Sequence, residues 1–254
     1  MKTTTILLGL LLLTIASCKP GEKKEGEKYA AVFQKHEARI NDLRKFLSGL
    51  KSSLPEAGVN PVAIANLDPV LRLGDYDTTC NTLILQHHLL DAPENFASYD
   101  SLFGLYYHPQ AVEAFAWSGS SKADMIFRRD YLSDQDVDNI LSPLSANRFP
   151  YLLIVKVSDM EPLARKTQET YSGGGATASY YLYDLRKKEL LSSISITTAP
   201  DEKMLYAYMA KSGSFGKIDA AKRKAKETMH INMRAKVYTW LKTITNNSAM
   251  TPAY

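Results

Sequence analysis

The hydrophobic period of this chain changes near Arg148, and that change constrains the fold more than any single motif. From Tyr29 to Leu50 the residues Tyr29, Val32, Phe33, His36, Ile40, Leu43, Leu47 and Leu50 recur at threes and fours, with Lys35, Glu37, Arg39, Asp42 and Arg44 between them. That spacing predicts an amphipathic helix of about 24 residues ending before Pro55. His36 on its apolar side reads as a helix-face spacer. After Arg148 the character is different. Tyr151-Leu-Leu-Ile-Val-Lys-Val is a β-branched, apolar run, and Thr177–Asp184 and Glu189–Thr198 are two further candidate strands. In the last of these, Leu190, Ile194 and Ile196 share one parity, while Leu191, Ser193, Ser195 and Thr197 share the other. Asp184-Leu-Arg-Lys-Lys supplies a tight turn, so the last two strands should form a hairpin entered through the glycines of Ser172–Gly175. Ile218, Ala221, Ala225, Met229, Met233, Val237, Trp240 and Ile244 then trace a closing helical stripe over Ile218–Ile244.

Between these two regimes the signals are shorter. Pro55–Asp77 is rich in Pro, Asn, Asp and Gly and reads as turns. Thr78–Leu90 reads as a buried helix. Ser98–Trp117 reads as one or two helices, and Ser133–Leu144 as a shorter one capped by Ser133. The expected fold class is α+β. Residues 29–147 form a mainly helical N-terminal layer. Residues 148–254 form a small antiparallel sheet with a β-hairpin and a long C-terminal helix, in one globular body with the first region.

The first 28 residues do not belong to that body. Lys2 precedes an apolar run from Ile6 to Ile15, then Ala16, Ser17 and Cys18. The run has the length of a signal-peptide core and is too short for a bilayer span, which takes roughly 20 apolar residues. Ile15-Ala16-Ser17-Cys18 resembles the lipobox of bacterial lipoproteins, with Ile15 where Leu is usual. The resemblance covers residues 1–18. It implies a signal peptide over 1–17, cleavage before Cys18, and diacylglycerol on the Cys18 sulfur, with palmitate or a similar acyl chain on the new amino terminus. Lys19 after the cysteine, where Asp is absent, is compatible with outer-membrane sorting in such proteins. Residues 18–28 then form the lipidated cysteine and a tether. Lys19–Lys28 carries no apolar side chain to bury, and ten residues reach at most about 35 Å.

Removing residues 1–17 from the 254 leaves 237, and lowers the formal charge from +4 to +3. Such a balance gives no argument for nucleic acid. With Cys18 lipidated, the two cysteines leave no pair for an intramolecular disulfide, and Cys80 is expected as a small core residue.

Motifs for catalysis are weak. Cys80, His87, His88 and Asp91 are metal-capable, but no Cys-x-x-Cys or His-Glu-x-x-His spacing supports a site, and no metal or cofactor is expected. Gly173–Gly175 lacks the Gly-Lys-Ser/Thr ending of a phosphate loop. Ser118-Gly-Ser-Ser-Lys and Ser212-Gly-Ser-Phe-Gly216 are not nucleophile elbows. Asp134, Asp136 and Asp138 alternate without the glycine and glutamate of a calcium loop, and suit a helix N-terminus. Lys217–Lys242 holds eight basic and two acidic residues, a stripe that reads as docking on the sheet with its lysines solvated.

The expected function is therefore a membrane-anchored envelope lipoprotein, non-catalytic, binding an envelope protein, a glycan or a lipid, or serving assembly. The alternative is an envelope enzyme assembled from distant residues, with His87, His88, His108 and nearby acids as its candidates.

Overall fold

The computed structural model describes residues 29–58, 64, 67–73, 80–91, 105, 133–145, 148–161, 164–165, 171–172, 174–199 and 217–247. The expected signal peptide, Cys18 and the expected tether lie outside them, as do the helices expected over Ser98–Trp117, apart from Leu105.

Among the described residues, three α-helices and a four-stranded mixed sheet make up the body. Helix α1 is Ala30–Ser53 and helix α2 is Asp134–Ser145. The strands are β1 (Thr82–Gln86), β2 (Tyr151–Met160), β5 (Ala176–Asp184) and β6 (Glu189–Thr198), in the order β1-β2-β5-β6. Two residue pairs, β3 (Ala164–Arg165) and β4 (Tyr171–Ser172), form a separate ladder between β2 and β5. Helix α3, Lys217–Thr245, follows the sheet.

The α+β class and the order of helix, sheet and closing helix are as expected. The sheet is mixed rather than wholly antiparallel, because β1 pairs with β2 in parallel, Thr82 against Tyr151 through Gln86 against Val155. The segment expected as a buried helix over Thr78–Leu90 is thus a strand followed by one 3₁₀ turn, His87–Leu89. Its burial explains the error. All five strand residues are buried, and a short run apolar on both faces has no period to distinguish strand from helix. Within it the alternation is real: Leu83 and Leu85 join one core, Ile84 the other.

Those two cores lie on opposite faces of the sheet. On one face Leu152, Ile154, Tyr181 and Tyr183 meet Val32, Ile40, Leu43, Leu47 and Leu50 of α1 and Val137, Leu141 and Leu144 of α2. On the other, Leu153, Val155, Tyr180, Leu182 and Ile196 meet Met229, Met233, Val237, Trp240 and Leu241 of α3. The result is a helix–sheet–helix sandwich whose side chains interleave at period 2 on the strands and 3.6 on the helices.

Turn chemistry sets the register. In the hairpin turn Leu185–Lys188, Asp184 Oδ1 accepts the backbone N–H of Arg186 (2.8 Å) and of Lys187 (3.2 Å). Between β2 and β5, Gly174 sits at φ 80°, a left-handed conformation that glycine adopts without strain. Its N–H donates to the Glu161 carbonyl (2.9 Å), and Glu161 N–H donates to the Gly175 carbonyl (3.0 Å). A bulge in β6 lets Leu190 oppose Tyr183 and Ser192 oppose Leu182, so Leu191 is the extra residue. That bulge breaks the simple parity read from the sequence. Leu190 is exposed, whereas Leu191 packs with Ile194 in the α3-side core.

Candidate functional site

Those of the residues singled out in the sequence that are described do not converge. Strand β1 stands between Cys80 and His87, and seven extended steps cover roughly 23 Å. Cys80 is buried, its thiol 3.5 Å from the Thr82 carbonyl, as a core residue would be. The His87 ring N–H donates to the Lys51 carbonyl (2.9 Å), tying the 3₁₀ turn to the end of α1. His88 is exposed. Asp91 pairs with Lys51 at 2.5 Å, and that ammonium holds its carboxyl below the usual range. Among the described residues no three His, Cys, Asp or Glu side chains are placed to hold a metal ion. His108, Ser118–Lys122 and Ser212–Gly216 lie outside the described residues.

The acidic run of α2 has local work. Asp136 and Ser133 form a reciprocal cap: Asp136 N–H donates to Ser133 Oγ (3.2 Å) and Ser133 N–H to Asp136 Oδ2 (2.8 Å). Those bonds from Ser133 depress the Asp136 carboxyl. Asp138 reaches across to α1, where His36 Nε2 lies 2.8 Å from its Oδ1 and Lys35 3.8 Å away. The hydrogen bond from His36 holds the Asp138 carboxyl below its ordinary value. His36 is thus a polar clamp between α1 and α2 rather than a spacer. Its partner is 102 residues away, which no local pattern signals.

A shallow groove of about 390 Å³ lies between β6 and α3. Among the described residues strand β6 is the last of its sheet, and its backbone is partly capped. Ser195 N–H donates to the Gly58 carbonyl (3.0 Å), and the Lys236 ammonium donates to the Thr197 carbonyl (2.7 Å). Both bonds obstruct a further strand from pairing there. Ile194, Ile196 and Trp240 give the groove its apolar surface, and Ser195, Thr197, Thr239 and Thr243 its polar edges. Thr239 and Thr243 turn their hydroxyls onto their own helix, donating to the Ala235 and Thr239 carbonyls (2.9 Å each). They therefore present methyl groups more readily than donors. Lys236 is the one charged lining residue among those described.

Behind the groove, among the described residues, the buried hydroxyls of Tyr180 and Ser192 and the indole N–H of Trp240 make no hydrogen bond. The Tyr180 and Trp240 rings are 6.5 Å apart. Burial raises the Tyr180 phenol, so it stays neutral. The sequence reading placed Trp240 in the buried stripe of α3, which holds. It missed that the same indole borders a groove, since that depends on which strand lies at the sheet's edge.

No family model, no curated protein and no solved structure matches the chain. Among the described residues no helix is long and apolar enough to cross a membrane.

Proposed function

We propose that this is a lipid-anchored protein of the bacterial cell envelope, held at the outer membrane through Cys18, whose folded body is a non-catalytic binding module. The observation that carries the reading is the order of residues at the start: Lys2, the Ile6–Ile15 apolar run, Ala16-Ser17-Cys18, then the charged Lys19–Lys28. The described residues begin at Tyr29 and α1 at Ala30, and the charged stretch before them would reach at most about 35 Å as a tether. Thioether-linked diacylglycerol with a further acyl chain gives firm anchorage where one chain would be marginal.

The test is metabolic labelling with radioactive palmitate in a bacterial host. The wild-type chain should take up label and fractionate with membranes. Cys18→Ser should take up none and leave the membrane fraction. A Cys18→Ser chain that still acquires label and still sediments with membranes would overturn the reading.

A further inference from the structure

We infer that the face of α3 turned away from the sheet docks on the anionic phospholipid headgroups of the membrane to which the chain is tethered. The inference rests on reading the chain as lipid-anchored, and it names the surface that its body meets. Charge is segregated in this protein. Helix α3 holds eight of the chain's 31 Lys and Arg and two of its 27 Asp and Glu, a formal +6 in a chain of +4, so all the other residues together carry −2. Helix α1 shows the contrast: its Lys35, Arg39 and Lys51 each face a carboxylate, of Asp138, Asp42 and Asp91. On α3 Lys224 pairs with Glu227 (3.0 Å), but Arg223, Arg234 and Lys242 meet no carboxylate among the described residues.

Helical spacing gathers these groups. Arg223, Glu227, Ile231 and Arg234 succeed one another at steps of four, four and three, on the side of α3 away from the buried Met229, Met233 and Val237. Ile231 is 43% exposed, a large apolar side chain amid cations. Lys226 and Lys236 are exposed at the flanks. Cations around an apolar residue suit a surface of phosphates over acyl chains, whereas a soluble anion would leave Ile231 in water. The tether permits the contact. Helices α1 and α3 lie on opposite faces of the sheet, and at roughly 10 Å for each helix layer a reach of about 35 Å lets the α3 face turn to the bilayer. A weak attraction then suffices, because the tethered body meets the surface at high effective concentration.

The experiment is cosedimentation of the mature chain from residue 18 with Cys18→Ser, which removes the covalent lipid. The vesicles are phosphatidylglycerol and phosphatidylcholine in equal parts, or phosphatidylcholine alone. Binding to the first and not to the second is expected. It should vanish as salt rises from about 0.1 M to 1 M, where the screening length falls from about 10 Å to 3 Å. Arg223→Gln with Arg234→Gln should weaken binding about 25-fold, at about fivefold for each basic residue near an anionic surface. Lys45→Gln with Lys187→Gln removes the same net charge from exposed sites on α1 and in the β5–β6 turn, and should weaken it far less. A polarity-sensitive dye on Ile231→Cys should shift to the blue on the anionic vesicles, with Cys80 buried from the reagent.

The lipid and salt arms need no change to α3, so they decide the matter even if the arginine variant perturbs the fold. Equal binding to both vesicles, or to neither, overturns the inference. So does equal weakening by the two charge pairs, or binding without the dye shift, which would assign the contact to net charge or to another face. Because Cys18 is absent from this assay, a negative result leaves the anchor intact, and a failed labelling experiment leaves vesicle binding as measured.

Discussion

Asp184 closes the β5–β6 turn with three kinds of bond: from the backbone of Arg186, from the backbone of Lys187, and from the Arg186 guanidinium at 3.0 Å. Burial alone would raise its carboxyl, yet these donors outweigh it and hold the group below the ordinary carboxylate range. The residue is 3% exposed, so its carboxylate has little water to turn to. Asp184→Asn keeps the shape but gives up the charge, and should cost about 1–3 kcal/mol at neutral pH. The sign of the pH dependence follows from the depressed value. Stability from Asp184 is fully present above the unfolded value near pH 4 and is lost as pH falls through the lower folded one. Urea midpoints below about pH 4 should therefore fall more steeply for the wild-type chain than for Asp184→Asn. Equal slopes would mean that the turn does not depend on the charge. The turn itself was legible, since Asp184-Leu-Arg-Lys-Lys sits between two strand-like runs. The His36–Asp138 clamp was not, because a partner on another helix leaves no trace in local spacing.

Helix ends and interiors give sharper tests than cores, because the energies are local. Gly49 lies within α1, and a methyl group built on it would meet nothing within 4 Å. Gly49→Ala should therefore raise stability by about 0.5–1 kcal/mol, seen as a higher thermal midpoint, through the backbone entropy that glycine loses on folding. Gly175 is the opposite case: an added methyl would lie 3.0 Å from the Thr198 carbonyl oxygen, so Gly175→Ala should lower the midpoint. At the start of α2, Ser133→Ala removes the acceptor for the Asp136 N–H and should cost about 1 kcal/mol. The cap was visible in sequence as Ser133 followed by Asp136. The long elements α1, β5, β6 and α3 were equally legible, because each runs long enough for its period to declare itself. β1 was not, since five residues buried on both faces read alike as helix or strand. The β6–α3 groove was hidden for a related reason: strand order decides which strand is the edge, and order is not written in either segment.

Across the whole molecule one sheet serves two cores, α1 and α2 on one face and α3 on the other. Leu47 and Met233 are both fully buried, one in each core. Leu47→Ala and Met233→Ala should each cost about 2–5 kcal/mol. Separated by the sheet, their effects should add within about 0.5 kcal/mol in the double variant, on a single urea transition followed by circular dichroism. Two separate transitions would mean that the layers fold independently. The envelope location proposed for that body depends on lipid at Cys18. Mass spectrometry of the amino-terminal peptide from the membrane-extracted protein tests it most directly. The account predicts a chain that begins at Cys18 and carries diacylglycerol on its sulfur. A chain that begins elsewhere, or a Cys18 with an unmodified thiol, would contradict it.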